Sequence, residues 1–245
     1  MFHAILYQPL FNLLIWLYNT IPGHDLGFAI IAISFLIRIV FWPLSRSSLK
    51  SQKALQDLQP KLDALKEQYK DDKEGLAKAM MELYKTEKVN PMSSCLPLLI
   101  QLPILWALYR VLSDGMNIDS LINLYPFISR PESINLNFLG FVNLAEPHLV
   151  MAIIAGILQF IQTKMLMAKR PPKKIRKEPG AKDEDMMAQM NQSMMYFMPV
   201  MTVVIGASLP GGLTLYWIIM NVFAILQQFL AFRKKKEVAV EVVKT

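Results

Sequence analysis

The stretch GFAIIAISFLIRIVFWPLS, residues 27–45, decides how the chain is read. It is apolar for nearly its whole length, and an apolar run of about 18 or more residues can cross a bilayer core as a helix. Yet it carries Arg38. At a rise of about 1.5 Å per residue, Arg38 sits roughly 16 Å from the Gly27 end and about 10 Å from the Ser45 end. A guanidinium at that depth costs about 3 kcal/mol on insertion scales. Its donors need acceptors, and the interiors of the other apolar stretches hold no Asp or Glu. Two readings stay open from this residue alone. Arg38 snorkels to the near surface along its aliphatic stem. Alternatively, it lines a wet cavity and meets an acidic group on another molecule.

Composition agrees with a membrane class. Hydrophobic residues make up 53% of the 245, and the mean hydropathy is +0.32 in spite of long charged segments. A soluble domain of ordinary composition is less apolar. The net charge of +7 comes from 26 basic and 19 acidic residues, and the basic ones lie in blocks. Blocks of that kind read as membrane topology rather than recognition of a specific nucleic-acid sequence. Cys95 is the single cysteine, so no intrachain disulfide forms. His3, His24 and His148 are far apart and show no metal-ligand spacing. With no phosphate loop, nucleophile elbow or zinc motif, no cofactor, no metal and no enzymatic reaction are expected.

Taken in order, residues 1–26 form an N-terminal helix and loop. Residues 2–18 fit either a spanning helix or one lying in the interface; the breaks at Gln8, Pro9 and Asn12 and the belt residues Tyr7, Trp16 and Tyr18 favour the interface. Residues 27–45 are the first span. Residues 46–91 are a charged helical hairpin with apolar stripes at Leu55, Leu58, Leu62, Leu65 and Tyr69, then at Leu76, Met80, Leu83 and Tyr84. Pro60 interrupts the first stripe and opens a new helix at its first turn. The second span is 92–112, kinked by Pro97 and Pro103. A mixed external loop, 113–146, leads to the third span, 147–168. A flexible linker, 169–195, precedes the fourth span, 196–209. Pro210-Gly211-Gly212 is a tight turn, and the fifth span, 213–232, ends in a basic tail, 233–245. The fold class is therefore an all-α polytopic membrane protein with five transmembrane helices.

Orientation follows from the basic residues. They crowd the first and third loops and the tail, while the second loop holds only Arg130, with Arg110 at its border. This places the N-terminus outside and the C-terminus inside. Gln101, Gln159, Gln162, Asn221 and Gln227 then fall in the cytoplasmic half of the membrane near the depth of Arg38, and Ser34 lies on the Arg38 face. A single intramembrane glutamine is ordinarily helix–helix glue. An unpaired arginine with several amides at one depth points instead to a hydrated concavity, open to the cytoplasm and closed to the outside. Met165, Met167, Met186, Met187, Met190, Met194, Met195, Met198 and Met201 gather at the inner boundary. Methionine suits an adaptable surface, although ordinary apolar packing explains them as well.

The stretches QPLFNLLIWLYN, FLIRIVFWPLS, CLPLLIQLPILWALY, FMPV and PGGLTLYWIIMN followed by LQQ, together with the hairpin from Leu58 to Pro91, resemble the YidC insertase family and its Oxa and Albino relatives. The matches run from about Gln8 to Phe232. The resemblance implies a five-helix core, an outer-face amphipathic helix, a cytoplasmic hairpin and a groove open to cytoplasm and lipid. It carries the groove arginine onto Arg38 and a client-contacting aromatic pair onto Tyr216 and Trp217. The large periplasmic domain of the long bacterial form is missing, so the short form is expected.

The expected function is insertion of newly synthesised proteins into the bilayer, with no covalent step. Nascent membrane proteins and lipid are the expected partners, the ribosome and the Sec translocon further ones, and the bacterial cytoplasmic membrane the expected location. The alternative from another class is a small-solute transporter using the same polar cavity, which internal repeats and broken helices would favour.

Overall fold

Asp25 starts the helix that carries Arg38: its carboxylate accepts a hydrogen bond from the Gly27 amide at 2.7 Å, a side-chain cap on an otherwise orphaned donor. The computed structural model describes residues 2–69, 72–90, 96–115, 121, 124–166 and 195–242. A π-helical stretch, His3–Tyr7, leads into α1, Gln8–Thr20. Next come α2, Leu26–Val40; α3, Trp42–Gln68; α4, Lys73–Thr86; and α5, Leu96–Gly115. Two short antiparallel strands follow, β1, Asn137–Phe138, and β2, Val142–Asn143. The chain finishes with α6, Leu149–Leu166; α7, Met195–Gly206; and α8, Gly211–Val242. It is mostly helical, as the sequence predicts. Residues 92–95, 167–194 and 243–245, which hold the starts or ends of predicted segments and Met167 to Met194, lie outside the described residues.

The first span differs from its sequence reading. Helix α2 stops at Val40, and beyond Phe41 the chain turns by 66° into α3. Residues 42–45 thus belong to the hairpin helix. Pro43 supplies the reason. It has no N–H to give the Ile39 carbonyl, and its ring crowds that carbonyl, so α2 cannot run on through it. In the first turn of α3 the same proline costs nothing. Pro60 behaves in the opposite way. It lies inside α3, which continues unbroken to Gln68, so it opens no new helix. Leu58 and Leu62, buried on either side of it, hold the helix through the missing bond. The hairpin closes with Asp72 capping α4 through the Gly75 amide at 2.8 Å and with a Lys61–Glu87 ion pair between the arms.

Helix α1 is buried far more deeply than a half-wet interfacial helix. Phe11, Leu14 and Ile15 are inaccessible or nearly so, and they join Ile30 and Ile33 of α2, Val111 of α5 and Leu213 of α8 in the main core. Of the three predicted belt residues only Trp16 faces outward; Tyr7 and Tyr18 are buried. The polar breaks have partners inside the protein. Asn12 donates to the Gln8 carbonyl at 2.8 Å and accepts from the Tyr125 amide at 2.6 Å. The Tyr18 hydroxyl donates to the Ser133 carbonyl at 3.2 Å and accepts from the Asn135 amide at 2.8 Å. These side chains tether the loop between α5 and α6, which carries the β1–β2 hairpin.

Close approach fixes two glycines. A methyl group at Gly27 would lie 2.0 Å from a ring carbon of Phe138, so the hairpin seats directly on the first turn of α2. At Gly156 it would meet Val203 at 2.4 Å, which sets the α6–α7 contact, as small residues do between membrane helices. Gly27→Ala is expected to destabilise the protein by about 1–3 kcal/mol, the usual cost of overpacking. A lower thermal midpoint in detergent would register it. Gly211 and Gly212 do not form the predicted tight turn; the turn is residues 207–209, and the glycines open α8. Their amides donate to the Glu146 and Leu144 carbonyls at 2.9 and 3.0 Å, joining α8 to the loop before α6.

Candidate functional site

The bend at Phe41 builds the site. It brings the last turn of α2 and the first turn of α3 over α5 and α8, and a cavity of about 40 Å³ opens between them. Arg38, Phe41, Ser45, Gln101 and Met220 line it. That volume holds a few water molecules at most, at roughly 10–15 Å³ each. Arg38 stands in the last turn of α2, only two residues from its end, so it is nearer a helix terminus than the unbroken span implied. Its Nε is buried without a hydrogen-bond partner among the described residues. No acidic side chain among the described residues pairs with it. Gln101 donates through Nε2 to the hydroxyl of Tyr216. That hydroxyl lies within electrostatic reach of the Arg38 guanidinium.

The other predicted site residues divide. Ser34 is inaccessible and donates to the Ile30 carbonyl of its own helix at 2.6 Å. Asn221 is helix glue, donating to the Ala155 carbonyl at 3.3 Å and tying α8 to α6. Gln159 and Gln162 are half-buried on α6 and do not line the cavity. Gln227 is buried with its Nε2 unpartnered, and beside it the Oε1 of Gln228 is equally without a partner among the described residues. Tyr216 is fully buried, whereas Trp217 is half-buried against the core. Of the predicted set, then, Arg38 and Gln101 meet at the cavity, and Tyr216 holds Gln101. The apolar lining residues Ile37, Phe41, Leu44, Ile104 and Met220 were missed. Pro43 was the available signal for Phe41, since it marks the break; nothing in the sequence singles out Met220.

Around this interior the outer surface is apolar. Phe35, Ile39, Ile153, Ile157, Val200, Val204, Leu226 and Phe229 all face outward. Among the described residues, Gly211–Ala231 is long and apolar enough by itself to cross a membrane, and α2 with α3 passes the same test as a bent pair. An apolar exterior around buried amides and a cation defines a helical bundle of the membrane class. The family model described as 60Kd inner membrane protein matches residues 16–238, and the chain belongs to that family. A membrane protein insertase YidC of Geobacter metallireducens is 37% identical over 227 residues, covering 92% of this chain and 36% of that protein. One of Francisella philomiragia is 37% identical over 226 residues, 91% of this chain and 35% of that one. The chain thus spans about a third of the length of these relatives. A crystal structure of an active YidC insertase, with its first transmembrane domain resolved, superposes with a TM-score of 0.57 at 23% identity. The match covers 92% of this chain and 45% of that one, and shows a shared fold.

Proposed function

We propose that this chain is an insertase that moves newly made proteins into the bacterial cytoplasmic membrane without covalent chemistry. The observation that carries the reading is Arg38: a cation with a buried nitrogen that has no partner among the described residues, set against a small cavity, mostly apolar in its lining, that it shares with Gln101 and Ser45. A cation kept in that state is costly unless something else completes its hydrogen bonds. A client's short polar segment would do so. Arg38 and Gln101 solvate it part-way into the bilayer, Tyr216 fixes Gln101, and the attached apolar segment leaves sideways into lipid. Burial of that apolar segment drives the process. The membrane potential helps an acidic segment outward by about 2.3 kcal/mol per charge per 100 mV.

In this reading α2, α5, α6, α7 and the apolar part of α8 are the five spans, with α1 at the outer face. The α3–α4 hairpin is cytoplasmic and receives nascent clients, with the ribosome and the Sec translocon as further partners. Trp217, half-buried against the core, is the client-facing member of the aromatic pair, and buried Tyr216 is the positioning one. Gln159, Gln162 and Gln227 extend the polar path once the helices part. The decisive experiment is reconstitution into liposomes with one short single-span client, scored by protease protection. Insertion no faster than into empty liposomes would reject the proposal.

Topology has its own test. In a Cys95→Ser background, a cysteine replacing the exposed Phe127 should react with an impermeant maleimide on intact cells. One replacing Lys174 should react only after permeabilisation. The reverse pattern would overturn the orientation.

A further inference from the structure

We infer that the tip of the β1–β2 hairpin, Leu139-Gly140-Phe141, is a lipid-binding element that dips into the acyl–headgroup boundary of the bilayer. Three independent features lead there. Leu139 has a φ of 55°, in the left-handed region where glycine or asparagine is usual. Its side chain is more than half exposed, at 53%, and Phe141 beside it is 77% exposed. A strained leucine held outward has a use only if something apolar meets it.

The second feature is the backbone. The Leu139 amide donates to the Asp25 carboxylate at 2.9 Å. Those of Gly140 and Phe141 donate to the Asn137 and Phe138 carbonyls at 3.2 and 3.3 Å. Every N–H of the tip is therefore satisfied from within, which is what a segment entering lipid requires and a water-facing turn does not. The stretch 137–144, NFLGFVNL, carries no charge.

The third feature is position. Phe138 packs edge-on against Phe28 at 5.6 Å, and Phe28 begins the outward apolar stripe of α2 that continues through Phe35 and Ile39. Helix α2 has 15 residues, about 22 Å of rise against a hydrocarbon core of roughly 30 Å. The hairpin prolongs that stripe beyond the helix end. Lipid is hence the occupant that fits, rather than a second copy of the chain. The inference rests on the bilayer location of the bundle and is independent of insertion activity.

The test uses full-length protein in phosphatidylcholine–phosphatidylglycerol liposomes, in the Cys95→Ser background. Single cysteines at Phe141, Leu139, Val204 and Glu132 each carry an NBD probe. Val204 reports the hydrocarbon region, and Glu132 an exposed loop site. The probes at positions 141 and 139 should emit to the blue of the Glu132 probe, lose most of their intensity to lipids spin-labelled near the headgroup, and resist iodide. Iodide quenching equal to that at Glu132 would overturn the inference while the Val204 probe still reports lipid. Protection that disappears on diluting the protein would assign the tip to a second copy and overturn it too. Failure of the Val204 probe to sense lipid would reject the bilayer placement itself, and the inference with it.

Discussion

Arg38→Ala is expected to slow insertion of a client whose translocated segment carries an aspartate by about tenfold, and to spare the matched neutral client. Two unit charges about 6 Å apart gain roughly 3 kcal/mol at an effective dielectric of about 20. Water in the cavity leaves about half of that, which corresponds to roughly a factor of ten in rate. Neutral segments lose less because Gln101 and the Tyr216 hydroxyl still offer hydrogen bonds. Arg38→Lys keeps the charge on a long stem and should keep most of the activity, although it loses the planar fork of donors. The measurement is paired insertion of one client, with and without the aspartate, into vesicles holding each protein. If Arg38 merely reached the surface, alanine would remove a burial cost and both clients would insert as before. A loss of equal size for both clients would retain the cavity in the mechanism and remove charge attraction from it.

Removing the hairpin is expected to have the other large effect. Replacement of residues 55–87 by a flexible joint should leave a folded membrane protein and reduce insertion to near the level of empty vesicles. Leu58 and Leu62 are buried in α3, yet neither belongs to the main core built from α1, α2, α5 and α8. The excision takes out these leucines together with the α4 arm, and the Lys61–Glu87 pair goes with them. Exposed ion pairs of that kind contribute about 1 kcal/mol or less. Accumulation in a protease-deficient host, thermal midpoint in detergent and client insertion separate the outcomes. Failure to accumulate there would make the hairpin a structural part of the protein. Normal insertion would remove it from client reception.

Much of this protein follows from sequence because lipid imposes simple rules. Apolar runs with basic loops between them marked the helices, and the hairpin stripes at steps of three and four marked α3 and α4. The absence of any Asp or Glu from the interiors of the other apolar stretches marked Arg38 as a cation without an acidic partner. Tertiary structure decided what periodicity does not encode. Whether a proline breaks a helix depends on its surroundings: Pro43 ends α2, while Pro60 is held inside α3 by two buried leucines. Whether a buried amide is glue or lining depends on which carbonyl lies opposite, and Asn221 finds Ala155 whereas Gln101 finds Tyr216. The polar residues of α1 suggested a half-wet surface because a sequence lists donors without their acceptors. The donor that satisfies the Asn12 amide oxygen, Tyr125, and the Tyr18 partners, Ser133 and Asn135, lie more than a hundred residues away, in the loop before α6. Pairings over that distance are set by packing, and only the folded chain brings them together.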